Sequence, residues 1–437
     1  MFRTCFQSQK ITASLARSFT TLSLLASFHS QESNAQNTPH PEGFRVPEIV
    51  MRADSGSSMN LPPLTYFGLE SPLFTNKDEV ILRYSVWGGE EQDGLLKYDS
   101  KNKTLISHKS SPNSFPSSIR LDETSGQIFF ESVNYGYFSE GIYQIDKNLQ
   151  NSARVINDKS VQFSSDLGVL NEGLHKANGL VSRAKQDNGA LSIRLILLES
   201  GSAFVEKTLL ATAHNNPQSP YSYIFPPSTS ASGYIGVKVR LGKTGEIADS
   251  QPDQILVFKL DPTTHNFNLI KSIGDIDAIR DSTFRSFDNS PLINDSGTLV
   301  FAAQLKNGNR AIYKWSEKKG LQRIVEEAKG TDLEEIRYFA PSLNSKDEIV
   351  FRAKGPDGES IWHASAQLKL TRLLKRGDRV KSDMGWAHIG PSARDEMSFF
   401  LSPQINDQGN VLIGALVDLE GPNARSIGLG FYVIRPE

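Results

Sequence analysis

Four clear copies of one motif, its recurrence about every fifty residues, and two chain ends that complement each other predict an all-β fold. That fold is a seven-bladed β-propeller of four-stranded antiparallel blades, the last blade closed by an N-terminal strand. The copies are Ser290-Pro-Leu-Ile-Asn-Asp-Ser-Gly-Thr-Leu-Val-Phe301, Ser402-Pro-Gln-Ile-Asn-Asp-Gln-Gly-Asn-Val-Leu-Ile413, Ala340-Pro-Ser-Leu-Asn-Ser-Lys-Asp-Glu-Ile-Val-Phe351 and Ser71-Pro-Leu-Phe-Thr-Asn-Lys-Asp-Glu-Val-Ile-Leu82. Weaker copies place their turn residue at Gly126, Gly179 and Gly233. Together with Asp78, Gly297, Asp347 and Gly409 these positions mark seven units, 48 to 64 residues apart. Units three and four carry the poorest match, and a misreading there makes the ring six- or eight-bladed. An open solenoid of sheets or tandem β-sandwiches would use the same repeat.

Each part of the unit has a local cause. A proline leads a short first strand because it lacks the N–H that a strand interior needs. The Asn/Asp/Gly turn follows because Asn and Asp bond nearby backbone amides, and Gly, Asn or Asp tolerates a left-handed position. A β-branched and aromatic run forms the second strand. A polar loop leads to a third strand, as in Gly141-Ile-Tyr-Gln-Ile145, Ala311-Ile-Tyr-Lys-Trp315 or Ser360-Ile-Trp-His363, and a fourth closes the unit, as in Leu321-Gln-Arg-Ile-Val325 and Leu370-Thr-Arg-Leu-Leu374. The last unit stops at its third strand, Gly430-Phe-Tyr-Val-Ile434. The missing strand is Phe44-Arg-Val-Pro-Glu-Ile-Val-Met-Arg52, which matches the fourth-strand run Leu321-Gln-Arg-Ile-Val-Glu-Glu-Ala328. Closing the ring in this way removes exposed sheet edges. The strand alternation places Phe130, Val300, Phe301 and Phe351 between blades as core.

This motif, Pro-x-Leu/Ile-Asn-x-x-Gly-x-Val/Leu-x-Phe followed by Gly-Ile-Tyr and Leu-x-x-Ile-Val, resembles the Asn-x-x-Gly-x-x-x-Phe tandem repeat of exported bacterial proteins. It is also similar to TolB-type propeller repeats. The chain departs from the pattern at Asp78 and Asp347, where glycine is expected, and at Leu82 and Ile413, in the Phe position. The resemblance implies an exported propeller, with the repeat residues structural, and implies no single activity.

The N-terminus carries the export signal. Arg3, Lys10 and Arg17 precede or flank a short apolar stretch from Phe19 to Phe28, and Ser33-Asn34-Ala35 is a small-x-small cleavage site before Gln36. The stretch is too short for a helix to span a bilayer. The domain reading is therefore a signal peptide over 1–35, a short flexible segment over 36–43 and one propeller over 44–437, with a periplasmic or extracellular destination. An organelle-targeting or disordered N-terminus uses the same composition. The one cysteine, Cys5, leaves with such a leader, so the mature chain has no disulfide, thiol nucleophile or thiolate ligand.

The charge balance, 47 basic against 49 acidic residues, lacks the footprint of a nucleic-acid or anionic-membrane binder. No partner of either kind and no stable membrane insertion is expected. HExxH, nucleophile elbows and Gly-rich phosphate loops are absent, and no two of the eight histidines stand four apart. No metal or cofactor is expected. The Asn294 and Asn406 loops are oxygen-rich, but their spacing suits turn chemistry better than a calcium loop.

Ligands of propellers bind where the loops leading into the inner strands converge. Those segments carry the candidate ligand contacts Tyr66, Arg285, Asp288, Arg337, Tyr338, Arg379, Asp383, Trp386 and His388, the last four in one long, unusual segment over 375–400. Arginines pair with carboxylate or phosphate, Trp386 or Tyr338 stacks on a ring, and Asp383 with His388 supports proton transfer if the fold brings them together. The plainer alternative is that Arg and Asp satisfy one another at the rim and the aromatics plug the channel. Loops between second and third strands supply candidate partner contacts at Trp87, Tyr135, Tyr137 and Phe138. The functional expectation is an exported, noncatalytic binding or interaction propeller engaging an unknown protein or glycan at the channel mouth. The alternative is a hydrolase or lyase acting there on a glycan or other polar substrate.

Overall fold

A computed structural model describes residues 41–437, apart from 55–57, 62–64, 68–70, 87–91, 111–112, 123–124, 135–138, 157–160, 171–177, 187–188, 199–203, 243–251, 262–263, 265, 275–283, 289–290, 391–396 and 422–423. The expected leader and most of the 36–43 segment lie outside the described residues. The strands form seven antiparallel sheets. In chain order they are blade 1 (65–109), blade 2 (114–156), blade 3 (161–211), blade 4 (221–273), blade 5 (284–326), blade 6 (335–375) and blade 7 (379–434), the last joined by Glu48–Ala53. The all-β seven-bladed propeller is thus the fold.

The turn reading holds at six of its seven positions. Asp78, Gly126, Gly233, Gly297, Asp347 and Gly409 all adopt positive φ, between 62 and 87°. The exception is Gly179, which sits inside the strand Asn178–Gln186, paired with Leu170 and Leu197. The unit-three turn was misplaced because a glycine between apolar residues looks the same in a strand as at its start.

The repeat asparagine does more than cap its own turn. The side-chain oxygen of Asn294 accepts from the Thr298 amide at 2.9 Å, while its Nδ2 crosses to blade 6 and donates to the Asn344 carbonyl at 2.8 Å. Asn344 repeats this toward blade 7, donating to the Asn406 carbonyl at 3.0 Å. Asn406 then donates to the Thr75 carbonyl of blade 1, also at 3.0 Å. The relay stops there, because threonine has no amide to pass on.

Between the blades lie seven apolar clusters of described residues, one at each interface. Phe301, Phe351 and Phe130 are buried in them as expected. Ring closure uses Glu48–Ala53 as the outer strand of blade 7, with Met51 opposite Phe431 and Ala53 opposite Leu429. Closure also fixes a glycine: Gly428 has φ of 89°, and a Cβ there would stand 2.0 Å from the Ala53 carbonyl oxygen. Any side chain at 428 would push the closing strand away.

Candidate binding site at the channel mouth

Among the described residues, blade 7 differs from the other blades by a hairpin placed before its inner strand. The chain leaves blade 6 at Lys375, turns through Gly377 (φ 80°), and forms Arg379–Ser382 and Gly385–Ile389. The turn is tied by the Lys375 amide to Asp378 at 2.8 Å and by the Gly377 amide to the Ile389 carbonyl at 2.8 Å. Burial pushes the Asp378 carboxyl above its ordinary range, opposed by that amide. The tip is closed by Ser382, whose hydroxyl donates to the Gly385 carbonyl at 2.8 Å.

Strand alternation gives the hairpin two faces. Val380, Ala387 and Ile389 point down and pack with Leu373 and Leu374 of blade 6 and Val417 and Ile427 of blade 7. Arg379, Lys381, Trp386 and His388 lie on the other face, where Arg379 is opposite His388 and Lys381 opposite Trp386. Ala387 to Ile389 also pair with Val417–Leu419, which welds the hairpin to the sheet of blade 7.

The upper face is electrostatically ordered by Glu420. Arg379 donates to its carboxylate from Nε at 2.8 Å and from Nη2 at 3.0 Å, and the guanidinium lies 4.3 Å over the Trp386 ring. His388 places Nε2 3.0 Å from Glu420 and Nδ1 3.1 Å from the Gly377 carbonyl. Trp386 remains 47% exposed, which makes it one of the few large apolar side chains presented to solvent. Lys381 is exposed and has no ionic partner among the described residues.

Asp383 does not join His388. It sits at the hairpin tip and takes Nε and Nη2 of Arg52 at 2.8 and 2.9 Å, while Arg52 Nη1 donates to the Ile427 carbonyl at 2.8 Å. Arg52 belongs to the closing strand and is 1% exposed. The hydrogen-bonded Asp383 carboxylate raises the Arg52 guanidinium above its ordinary value, and burial raises the neighbouring Tyr432 hydroxyl strongly.

Of the remaining candidates, Arg285, Asp288, Arg337 and Tyr338 lie on blades 5 and 6 and Tyr66 on blade 1. Asp288 pairs with Arg310, whose guanidinium lies 3.6 Å over Tyr338. Burial raises Asp288 above the usual carboxylate range, against the pull of Arg310 and Lys238. Arg337 pairs with Glu335 and, at 3.1 Å, with Glu359. Glu359 also holds Arg352 at 3.0 Å and accepts the Ser398 amide of blade 7 at 2.8 Å. Burial lowers the pKa of Arg352, and Glu359 opposes the shift. Arg285 is exposed, and Tyr66 pairs through its backbone with Ser85. Trp87, Tyr135, Tyr137 and Phe138 lie outside the described residues.

The candidates therefore divide between the hairpin and blades 5 and 6, with Tyr66 apart on blade 1 and most charges paired. Sequence reasoning missed Arg52, Arg310, Glu359 and Glu420, whose partners are 22 to more than 300 residues away in several cases. Among the described residues no three His, Cys, Asp or Glu side chains gather to hold a metal ion. No helix among them is long and apolar enough to cross a membrane.

No family model matches this chain, and no curated protein matches it. Solved structures do. It is similar to an oligogalacturonate lyase in complex with manganese, with 11% identity and a TM-score of 0.53 over 90% of this chain and 97% of that one. A structure from a study of two prolyl endopeptidases gives 9% identity and 0.51, over 84% of this chain and 50% of that chain. The β-propeller domain of the Trilobed protease from Pyrococcus furiosus gives 11% and 0.49, over 83% and 98%. At such identities the likeness is one of fold, the β-propeller.

Proposed function

We propose that this protein is an exported, noncatalytic binding propeller that engages an acidic protein or glycan through the upper face of the 379–389 hairpin. The observation that carries the reading is Trp386, 47% exposed on a hairpin whose underside is locked into the core. A rigid aromatic beside Arg379 and an exposed Lys381 has the make-up of an interaction hot spot, with little side-chain order left to impose on binding. The export component rests on the leader reading of residues 1–35.

The acid–base groups support binding over catalysis. Asp383 is committed to Arg52, and Arg379 to Glu420. The manganese named with the similar lyase finds no group of three ligands among the described residues, so no step is derived through a metal. A second reading as a glycan lyase or hydrolase draws on one feature, the half-exposed His388 beside Glu420 at 3.0 Å.

The test compares the wild-type protein with Trp386→Ala and Lys381→Glu in pull-downs from envelope extract and on an array of neutral and acidic glycans. Retention of an acidic partner by the wild type, weakened at least about tenfold by either substitution, is expected. Equal capture by folded Trp386→Ala protein would sink the hairpin surface. Turnover of an acidic glycan that disappears in His388→Ala would favour the enzymatic reading instead.

A further inference from the structure

The hairpin ends the sheet of blade 7, so Arg379–Ser382 is an edge strand of that sheet. Register decides which backbone groups the edge offers. The Ile389 amide donates to the Asp378 carbonyl at 2.9 Å, so Asp378, Val380 and Ser382 turn their backbone groups toward Gly385–Ile389. Arg379 and Lys381 turn theirs the opposite way, to the open side. The partner strand obeys the same alternation: the Trp386 carbonyl points away from the edge and accepts from the Glu420 amide at 2.9 Å.

Among the described residues no hydrogen bond reaches the N–H or C=O of Arg379 or Lys381, and Lys381 is exposed. The closing strand Glu48–Ala53 approaches the hairpin at its tip, through the Arg52 side chain on Asp383. Its own outward backbone groups at Arg52 already pair with Met59. The outer strands of the blades are edges too, and the setting distinguishes this one. Trp386 stands exposed beside it and Met384, 40% exposed, at its tip, whereas the described residues of the outer strands include a single large apolar side chain so exposed, Leu269 of blade 4.

Side chains decide which strand such an edge accepts. An added strand meets Lys381 on the upper face, and a lysine at an edge deters basic or apolar strands while it favours an acidic one. The hairpin's own carboxylates are directed elsewhere: Asp378 to the Lys375 amide, Asp383 to Arg52, and Glu420 to Arg379 and His388.

We propose that an extended acidic segment of a partner protein binds as an added antiparallel strand on Arg379–Ser382, exchanging backbone hydrogen bonds with Arg379 and Lys381. Alternation fixes the motif. The partner residue opposite Lys381 points to the upper face and is acidic, and its neighbour opposite Val380 points to the other face and is apolar. The inference rests on the hairpin as the binding surface and narrows its ligand from protein or glycan to a peptide.

The probe is a fluorescein-labelled Glu-Val-Glu-Val-Glu peptide, followed by anisotropy with the full-length protein. Saturable binding below about 1 mM is expected, and a Lys-Val-Lys-Val-Lys peptide should bind at least about tenfold more weakly. N-methylation of the central glutamate removes an amide that faces the edge and should weaken binding by about tenfold or more; N-methylation of a valine, whose amide faces away, should leave it unchanged. Lys381→Pro, which removes an outward N–H and no bond within the hairpin, should abolish binding. No saturable binding, equal effects of the two N-methylations, or unchanged binding by folded Lys381→Pro protein overturns the added strand. Should Lys381→Pro fail to fold, the pair of N-methylated peptides decides alone. The two readings separate through Trp386→Ala: capture that depends on Trp386 without N-methyl selectivity keeps the hairpin surface and overturns the strand. Selective peptide binding that ignores Trp386→Ala keeps the strand and removes Trp386 from the surface.

Discussion

Replacing Asn406 separates the two jobs of the repeat asparagine at the junction where the ring closes. Its Oδ1 accepts from the Gln408 and Asn410 amides at 3.1 and 3.0 Å, a local turn function. Its Nδ2 donates at 3.0 Å to both the Thr75 carbonyl and the Asp78 carboxylate of blade 1. The side chain is 3% exposed, so water does not replace what is lost. Asn406→Ala removes two inter-blade bonds and orphans the buried Asn410 amide; at about 1 kcal/mol each the loss is about 3 kcal/mol. Asn406→Asp keeps the local acceptor, loses both donors and sets a carboxylate against Asp78, so it should cost at least as much. Urea unfolding followed by tryptophan emission and far-UV dichroism measures both. An Asp variant within about 0.5 kcal/mol of wild type would show that the asparagine serves only its own turn, and the inter-blade relay would be refuted.

Asp383→Ala leaves the guanidinium of Arg52, 1% exposed, with Asp54 at 3.7 Å as its counter-charge and should destabilise by about 3 kcal/mol, whereas Arg52→Met leaves a carboxylate that is 23% exposed and should cost less. Unfolding of the two single variants and the double variant checks this, and a milder Asp383→Ala would contradict the buried-pair argument. Burial holds the pKa of His108 below its ordinary 6.5, so the unfolded chain takes up its proton first as pH falls. Stability should therefore decline from about pH 6.5 downward through the folded pKa, and His108→Gln should flatten that part of a chemical-denaturation series against pH.

The fold was legible because its signal is local and repeated. A proline, an asparagine and a left-handed residue within one dozen positions specify a turn, and its recurrence about every fifty residues specifies a ring. Asp78 and Asp347 take the glycine's place at φ of 62 and 64°, so the departures from the motif obey the same backbone rule. Gly179 departs from that rule because its flanking residues, Leu180 and Val181, equally well continue a strand, and it pairs within Asn178–Gln186. The hairpin was legible only as an unusual segment. Its partners could not be read: Arg52 lies 331 residues from Asp383, and nothing local in either sequence announces the pair. Glu420 and Glu359 were hidden for the same reason. Arg83, Lys238 and Arg352 are different, because each stands five residues after its turn residue and superposing the units displays them without any structure.

Repetition also indicates where recognition is to be sought. A residue that recurs from blade to blade meets the next blade in each copy, and Asn294, Asn344 and Asn406 are consumed in that way. Phe301 and Phe351, which follow the same symmetry, are fully packed. A ligand that is not itself cyclic needs a surface where the symmetry fails. Among the described residues the hairpin that blade 7 inserts before its inner strand is such a place, and Trp386 stays 47% exposed on it. The departure from the repeat there leaves an aromatic group that the ring itself does not bury.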